Sequence, residues 1–217
     1  AAYEAATPGV TLTVSTDSST ALETKIEQGA PADVLLSADT KNPQKLVDKG
    51  LASGRVVDFA GNLLTVIVPS SNPAGIATPV DLAKGGVKVI ACADGVPIQA
   101  YTAQWLAKVS TLPAYGADFA ARYSANVVSR EDNVGAIVAK VALGEGDAGV
   151  VYVTDAKASG KVRTIAIPAD QNVPATYGGV VVRSSSHADA ARSFLAWLTS
   201  TTGQAVLRSF GFVPPAG

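Results

Sequence analysis

Short, continuous, β-branched runs alternate with helical patterns along almost the whole chain, and no other property limits the fold as strongly. Residues 10–14, 34–36, 63–68, 87–91, 127–128, 149–153, 162–167 and 179–182 are expected as strands. Most of these runs are uninterrupted apolar stretches rather than alternating ones, which is the pattern of strands covered on both faces. Between them, residues 20–28, 43–49, 99–109, 134–143 and 188–198 carry apolar side chains at helical spacing, as at Val134, Ile137 and Val141. The pattern predicts an α/β fold with mostly parallel strands and right-handed crossovers.

A length of 217 residues suits one α/β domain or two compact lobes. Two loops break the rhythm, Pro69-Ser70-Ser71-Asn72-Pro73-Ala74-Gly75 and Pro168-Ala169-Asp170-Gln171-Asn172-Val173-Pro174. A chain leaving one lobe near 70 and returning near 170 would join two lobes by two crossings, a hinge arrangement that closes on ligands. Two ordinary surface loops fit the same residues equally well. Hydrophobic residues make up 47% of the chain and charged ones 16%, so it is expected to bury a sizeable core. A net charge of −1 with no Lys/Arg run is poor material for a phosphate backbone, and nucleic acid is not an expected partner. No apolar stretch approaches the length of a bilayer span. Methionine is absent, including any initiator, so a processed product or a fragment is expected, with a removed export signal as one cause. The opening Ala1-Ala2-Tyr3-Glu4-Ala5-Ala6 is expected as the end of a helix stopped by Thr7-Pro8-Gly9.

Three helix starts are candidates for anion binding. Ser18-Ser19-Thr20 places hydroxyls and unpaired N–H groups between an apolar run and a helix. Val96-Pro97-Ile98-Gln99 puts a proline in the first turn and leaves the following amides free. In Glu131-Asp132-Asn133-Val134, Asp132 or Asn133 can cap the helix that follows. Taken singly, each is ordinary capping; only convergence would make an oxyanion site. Tyr152, ending a buried run, can donate to a ligand or satisfy a core hydrogen bond.

Enzyme chemistry finds little material. His187 is the only histidine and is expected as a solvated first-turn residue, while the lone Cys92 reads as a small buried hydrophobe. One Cys and one His do not make a zinc site, and neither a phosphate loop nor a dinucleotide fingerprint is present.

The run from Ser18-Ser19-Thr20-Ala21-Leu22 through Ile26-Glu27-Gln28-Gly29-Ala30-Pro31-Ala32-Asp33 to Ser37-Ala38-Asp39 resembles the periplasmic molybdate-binding proteins of ABC importers. Later pieces agree in order: Val96-Pro97, Glu131-Asp132-Asn133-Val134, Gly149-Val150-Val151-Tyr152 with Thr154-Asp155-Ala156, and Gly203-Gln204-Ala205 with Phe210-Gly211-Phe212. The resemblance spans nearly the whole chain. It implies a two-lobed periplasmic-binding-protein-like fold of type II, with mixed, mostly parallel sheets and a two-segment hinge. The first lobe would take residues 1–68 with 175–217, and the second 69–174. It also implies a monomeric, exported protein, periplasmic or tethered outside the membrane, that passes molybdate or tungstate to an ABC permease and is not an enzyme. No cofactor and no direct metal ligand are implied, since molybdenum travels inside its oxyanion. Carried over by position, Ser19 would donate its hydroxyl and amide with Ser18 beside it, Ile98 and Val134 their backbone N–H, and Tyr152 its phenol.

Three departures accompany the resemblance. The family begins with a strand and a turn bearing another ligand serine, which have no counterpart in this sequence. Asp17 precedes the serines and is expected to point away from a dianion or to cap the helix. Ile98-Gln99 stands where the family has a small Ala-Gly pair, which could reshape the pocket floor. Sulfate- or phosphate-type anion binding remains an alternative, as does the ligand-sensing domain of a transcription regulator; an enzyme on the same fold ranks third.

Overall fold

The computed structural model describes residues 1–215. The chain divides into unit 1, Ala1–Asn62 with Ala175–Gly217 (Ala216 and Gly217 lie outside the described residues), and unit 2, Leu63–Pro174.

Unit 1 is built on three strands, β1 (Val34–Ser37), β2 (Ala52–Asn62) and β8 (Ala175–Val182), in the order β1-β8-β2. All of its pairings are antiparallel. On one face Phe59, Val181 and the half-buried Val34 and Leu36 pack with α8 (Ala188–Thr199) and α9 (Thr201–Phe210) through Leu195, Leu198 and Leu207. On the other, Leu35 and Val180 pack with Leu22 and Ile26 of α2 (Ser19–Glu27) and Leu46 of α3 (Lys41–Asp48). The opening helix α1 (Ala2–Ala6) inserts Tyr3 beside Phe194 and Trp197, ring centroids 5.0 and 5.3 Å away.

Unit 2 holds a five-stranded sheet, ordered β5-β4-β6-β3-β7. Its strands are β3 (Leu64–Pro69), β4 (Val89–Cys92), β5 (Val127–Glu131), β6 (Ala148–Tyr152) and β7 (Val162–Ala166). β4 pairs parallel with both β5 and β6, whereas β3 pairs antiparallel with β6 and β7. Its helices are α4 (Pro97–Val109), α5 (Phe119–Ala125), α6 (Val134–Leu143) and α7 (Val153–Ser159). Trp105, Tyr115, Phe119 and Tyr123 form an aromatic cluster of edge-on pairs.

The α/β class with two sheets stands, but strand direction is a correction, because most pairings are antiparallel. A continuous apolar run reports burial on both faces, and an antiparallel sheet sandwiched between helices has that burial too. The run at 10–14 is no strand: the Leu12 N–H goes to the Glu4 carboxylate at 2.9 Å, and Val14 is exposed. β2 was not foreseen, since Gly54, Arg55, Asp58 and Gly61 interrupt its apolar pattern and its register shifts twice. β3 belongs to unit 2 through its two ladders, so the chain crosses between Asn62 and Leu63 and returns between Pro174 and Ala175. The loop at 69–75 therefore lies inside unit 2 rather than forming a crossing, whereas the loop at 168–174 ends at the return, where it was expected. Buried Asn172 pins the second loop to the start of β3, accepting the Leu64 N–H at 3.0 Å and donating to the Leu64 carbonyl at 2.8 Å.

Gly149 of β6 sits under α6. A Cβ there would lie 2.4 Å from Ile137 Cγ2 and 3.0 Å from the Ile90 carbonyl oxygen. Overpacking of this kind costs ~1–3 kcal/mol. Gly149→Ala is expected to lower stability by about that amount in urea unfolding; unchanged stability would mean that α6 is not seated on this residue.

Candidate functional site

In unit 2 the neighbours β5, β4 and β6 run the same way, with Cys92 level with Glu131 and Ile90 level with Gly149. Their carboxyl ends therefore share one end of the sheet, and each leads directly into a helix: β4 into α4, β5 into α6, β6 into α7. Topology thus brings together Ile98, in the first turn of α4, Val134, the first residue of α6, and Tyr152, the last residue of β6. The Ile98 and Val134 N–H groups fall where no preceding helical carbonyl can take them. Pro97 opens α4 with no side-chain cap, while Asn133 caps α6 by accepting the Ala136 N–H at 3.0 Å. Ile98 is 2% exposed, so what it can offer a ligand is its backbone. The Tyr152 ring is equally buried and meets Tyr101 edge-on, centroids 6.3 Å apart.

This end of the sheet is not a cationic pocket. Burial pushes the Cys92 thiol up to about 12, with Glu131, Asp132 and Asp155 adding to the shift, so the thiol stays protonated and is no nucleophile. Glu131 is neutralised by Lys140 at 2.6 Å and accepts the Ser129 hydroxyl. Arg130 donates to the Cys92 carbonyl at 3.3 Å and stands 3.9 Å from Asp94. Burial also raises the Asp155 carboxyl to about 6, against the N–H groups of Asp155 and Tyr152 that favour its charge.

In unit 1, Ser18 caps α2, its hydroxyl oxygen accepting the Ala21 N–H at 3.3 Å. Its own N–H goes to Asp17 Oδ1 at 2.8 Å, and Asp17 Oδ2 pairs with Lys25 at 2.8 Å. The Lys25 hydrogen bond, then the Ser18 N–H, hold the Asp17 carboxyl below its usual range. Ser19 Oγ accepts the Ala38 N–H at 3.0 Å, and both Ser18 and Ser19 are buried. Behind Ala38 lies a buried polar box of Ser37, Asp39 and Asn42. A second group joins α2 to α3: buried Glu23 lies 3.4 Å from Lys45, and its carboxyl is pushed up by burial and by sharing a hydrogen bond with Glu27. The residue reading passed over both groups. The Ser-x-Asp-x-x-Asn spacing after a strand is an Asx-type cap signal and was available for the first. His187 precedes α8 at the surface without a side-chain capping bond, its Nδ1 3.3 Å from Asp33 Oδ1. Among the described residues, no cluster of His, Cys, Asp and Glu is grouped to hold a metal ion, and no helix is long and apolar enough to cross a membrane.

A family model described as bacterial extracellular solute-binding protein matches residues 1–213. The molybdate-binding protein ModA of Mycobacterium tuberculosis is 32% identical over 214 residues, covering 98% of this chain and 77% of that protein. Among solved structures, the periplasmic molybdate-binding protein of Azotobacter vinelandii superposes with a TM-score of 0.79 at 25% identity, over 99% of this chain and 92% of its own. The sulfate-binding protein SubI from M. tuberculosis gives 0.85 at 23% identity, over 98% of this chain and 80% of that one, a likeness of fold.

Asp155 sets a pH dependence. Its pKa of about 6 lies above the ordinary value of 3.8, so the folded state holds the proton more tightly than the unfolded state does. Its contribution to stability is complete below pH 3.8 and is lost as the pH rises through about 6. Asp155→Asn removes that loss, and the half-buried position limits the gain to about 1 kcal/mol at pH 7.5. Urea unfolding is expected to find Asp155→Asn more stable than wild type at pH 7.5 and no more stable at pH 4. An equal difference at both pH values would sink the assignment.

Proposed function

The chain belongs to the bacterial extracellular solute-binding proteins, and from that premise we propose that it captures a tetrahedral dianion of the molybdate and tungstate class and delivers it to the permease of an ABC importer. One arrangement carries this reading: the first turns of α4 and α6 and the buried phenol of Tyr152 lie at a single end of three parallel strands. In unit 2 the proposed donors are the Ile98 N–H, the Val134 N–H and the Tyr152 hydroxyl; in unit 1 they are the Ser19 hydroxyl and amide, with Ser18 next to it in sequence. A fully ionised oxyanion offers only acceptors, so a site for it needs only donors. Helix N-termini supply fixed positive potential without a counter-ion, and hydrogen bonds to a charged acceptor are roughly twice as strong as neutral ones.

Asp17 bears on the choice of anion. A protonated phosphate needs an acceptor beside it, and Asp17, the nearest carboxylate in sequence to the serines, is committed to Lys25 and the Ser18 N–H. Sulfate has the charge and shape of molybdate, so the two are separated by size. The protein works outside the cytoplasmic membrane as a single chain, without a cofactor and without catalysis; a Cys92 thiol held near 12 favours binding over nucleophilic chemistry. Delivery to a permease is supported by the family and by a similar solved chain, 26% identical, titled the substrate binding domain of a putative molybdenum ABC transporter from Clostridium difficile.

Isothermal titration calorimetry with molybdate, tungstate, sulfate and phosphate tests the reading. Tight binding of the two larger anions with sulfate and phosphate rejected is expected. Ser19→Ala and Tyr152→Phe each remove one charge-assisted hydrogen bond and are expected to weaken molybdate binding by about 10- to 100-fold. Binding of sulfate in preference to molybdate, or of none of the four, would overturn it.

A further inference from the structure

We infer that Asp39, with Ser37 and Asn42, positions Ser19 for the anion by fixing the Ala38 amide that aims the Ser19 hydroxyl. The inference rests on the oxyanion reading above. A serine hydroxyl has one proton and two lone pairs. Ser19 Oγ spends a lone pair on the Ala38 N–H at 3.0 Å, so its proton cannot lie on that side. Ser19 is also the first residue of α2, and no carbonyl one turn earlier lies in the helix to accept the proton. The hydroxyl proton therefore points away from the Ala38 amide. An anion takes that proton as an acceptor.

Ala38 is held by a turn whose polar groups satisfy one another. Asp39 Oδ1 accepts the Ser37 hydroxyl at 2.8 Å, the Asn42 N–H at 3.0 Å and the Asn42 side-chain amide at 3.1 Å. Asp39 Oδ2 accepts the same amide at 3.1 Å, and Ser37 Oγ accepts the Asp39 N–H at 3.2 Å. The Asp39 carbonyl takes the Gly178 N–H at 3.2 Å, which ties the turn to β8. Lys45 donates to Asn42 Oδ1 at 3.1 Å and so fixes which way the Asn42 amide faces. Ser37 and Asn42 are each 2% exposed. These bonds stay within the turn and its neighbours, and the Ala38 N–H is the link to Ser19. An amide cannot replace the carboxylate here. In Asp39→Asn one NH2 would face the Asn42 NH2, and turning Asn42 over would aim its own NH2 at the Lys45 ammonium.

The test is a double-mutant cycle read by molybdate titration of the full chain. Ser19→Ala is expected to weaken binding by about 10- to 100-fold and Asp39→Asn by about 10-fold, as is usual for groups that orient a ligand contact. In the Ser19→Ala background, Asp39→Asn is expected to cost less than about 2-fold, because its effect has lost its target. Hydrogen exchange at the Ala38 amide of the anion-free protein is expected to speed up in both single variants. Ser37→Ala, the milder change to the same turn, is expected to give the same coupling and serves if Asp39→Asn does not reach the wild-type circular dichroism. Additive losses, unchanged Ala38 exchange, or wild-type affinity in Asp39→Asn and Ser37→Ala would overturn the positioning role alone. A wild-type chain that fails to bind molybdate would overturn the oxyanion reading and this inference with it.

Discussion

The parallel pairing of β4 with β5 on one side and β6 on the other is the constraint on which the rest of unit 2 depends. Parallel neighbours end together, and each of these three strands passes into a helix within a few residues. The first turns of α4 and α6 and the ring of Tyr152 are thereby delivered to one place by chain direction, before any side chain is chosen. Had β5 or β6 run the other way, Val134 or Tyr152 would sit at the opposite end of the sheet. β3 runs the opposite way and β7, antiparallel to β3, runs the same way as β6; neither leads directly into a helix at that end.

A site made of helix starts and hydroxyls must also manage the negative charge around it. Glu131, Asp132 and Asp155 all act on Cys92, so carboxylates crowd the very end of the sheet at which the donors gather. Each is handled differently. Glu131 is paired with Lys140, Asp132 is exposed to water, and Asp155 is lifted toward neutrality by burial. Asp17 of unit 1 is turned to Lys25 and to the amide of Ser18. On the proposed reading, fixed backbone dipoles supply the positive potential set against these carboxylates.

Much of this was legible in the residues, and each failure has its own physical cause. Runs such as Val34-Leu35-Leu36 and the apolar stretch that became β3 declared strands buried on both faces, and they are. They did not declare direction, because burial and direction are separate properties that coincide only in sheets joined wholly by crossover helices. β2 escaped notice because its bulges and its Gly54, Arg55 and Asp58 break the pattern on which periodicity depends. The helix starts at Ser18, Val96 and Asn133 were each visible as caps, but the gathering of the two in unit 2, at Val96 and Asn133, depends on strand order, which no local pattern carries. The box of Ser37, Asp39 and Asn42 had a local signal, yet its importance lies in the Ala38 amide, a group present at every non-proline position.

That last point bears on how such a site can vary. An amide donor is indifferent to the side chain it carries, so long as the helix starts in the same place. Ile98-Gln99 in place of a smaller pair is tolerable on this ground, because Ile98 is buried and its N–H still belongs to the first turn behind Pro97. On the proposed reading, the residues that cannot drift are those assigned a side-chain donor role or those that aim one: Ser19, Tyr152, and the turn that holds Ala38. Sequence signal in an amide-built site therefore concentrates in a few hydroxyls and their supports, and the rest of the site is written in topology.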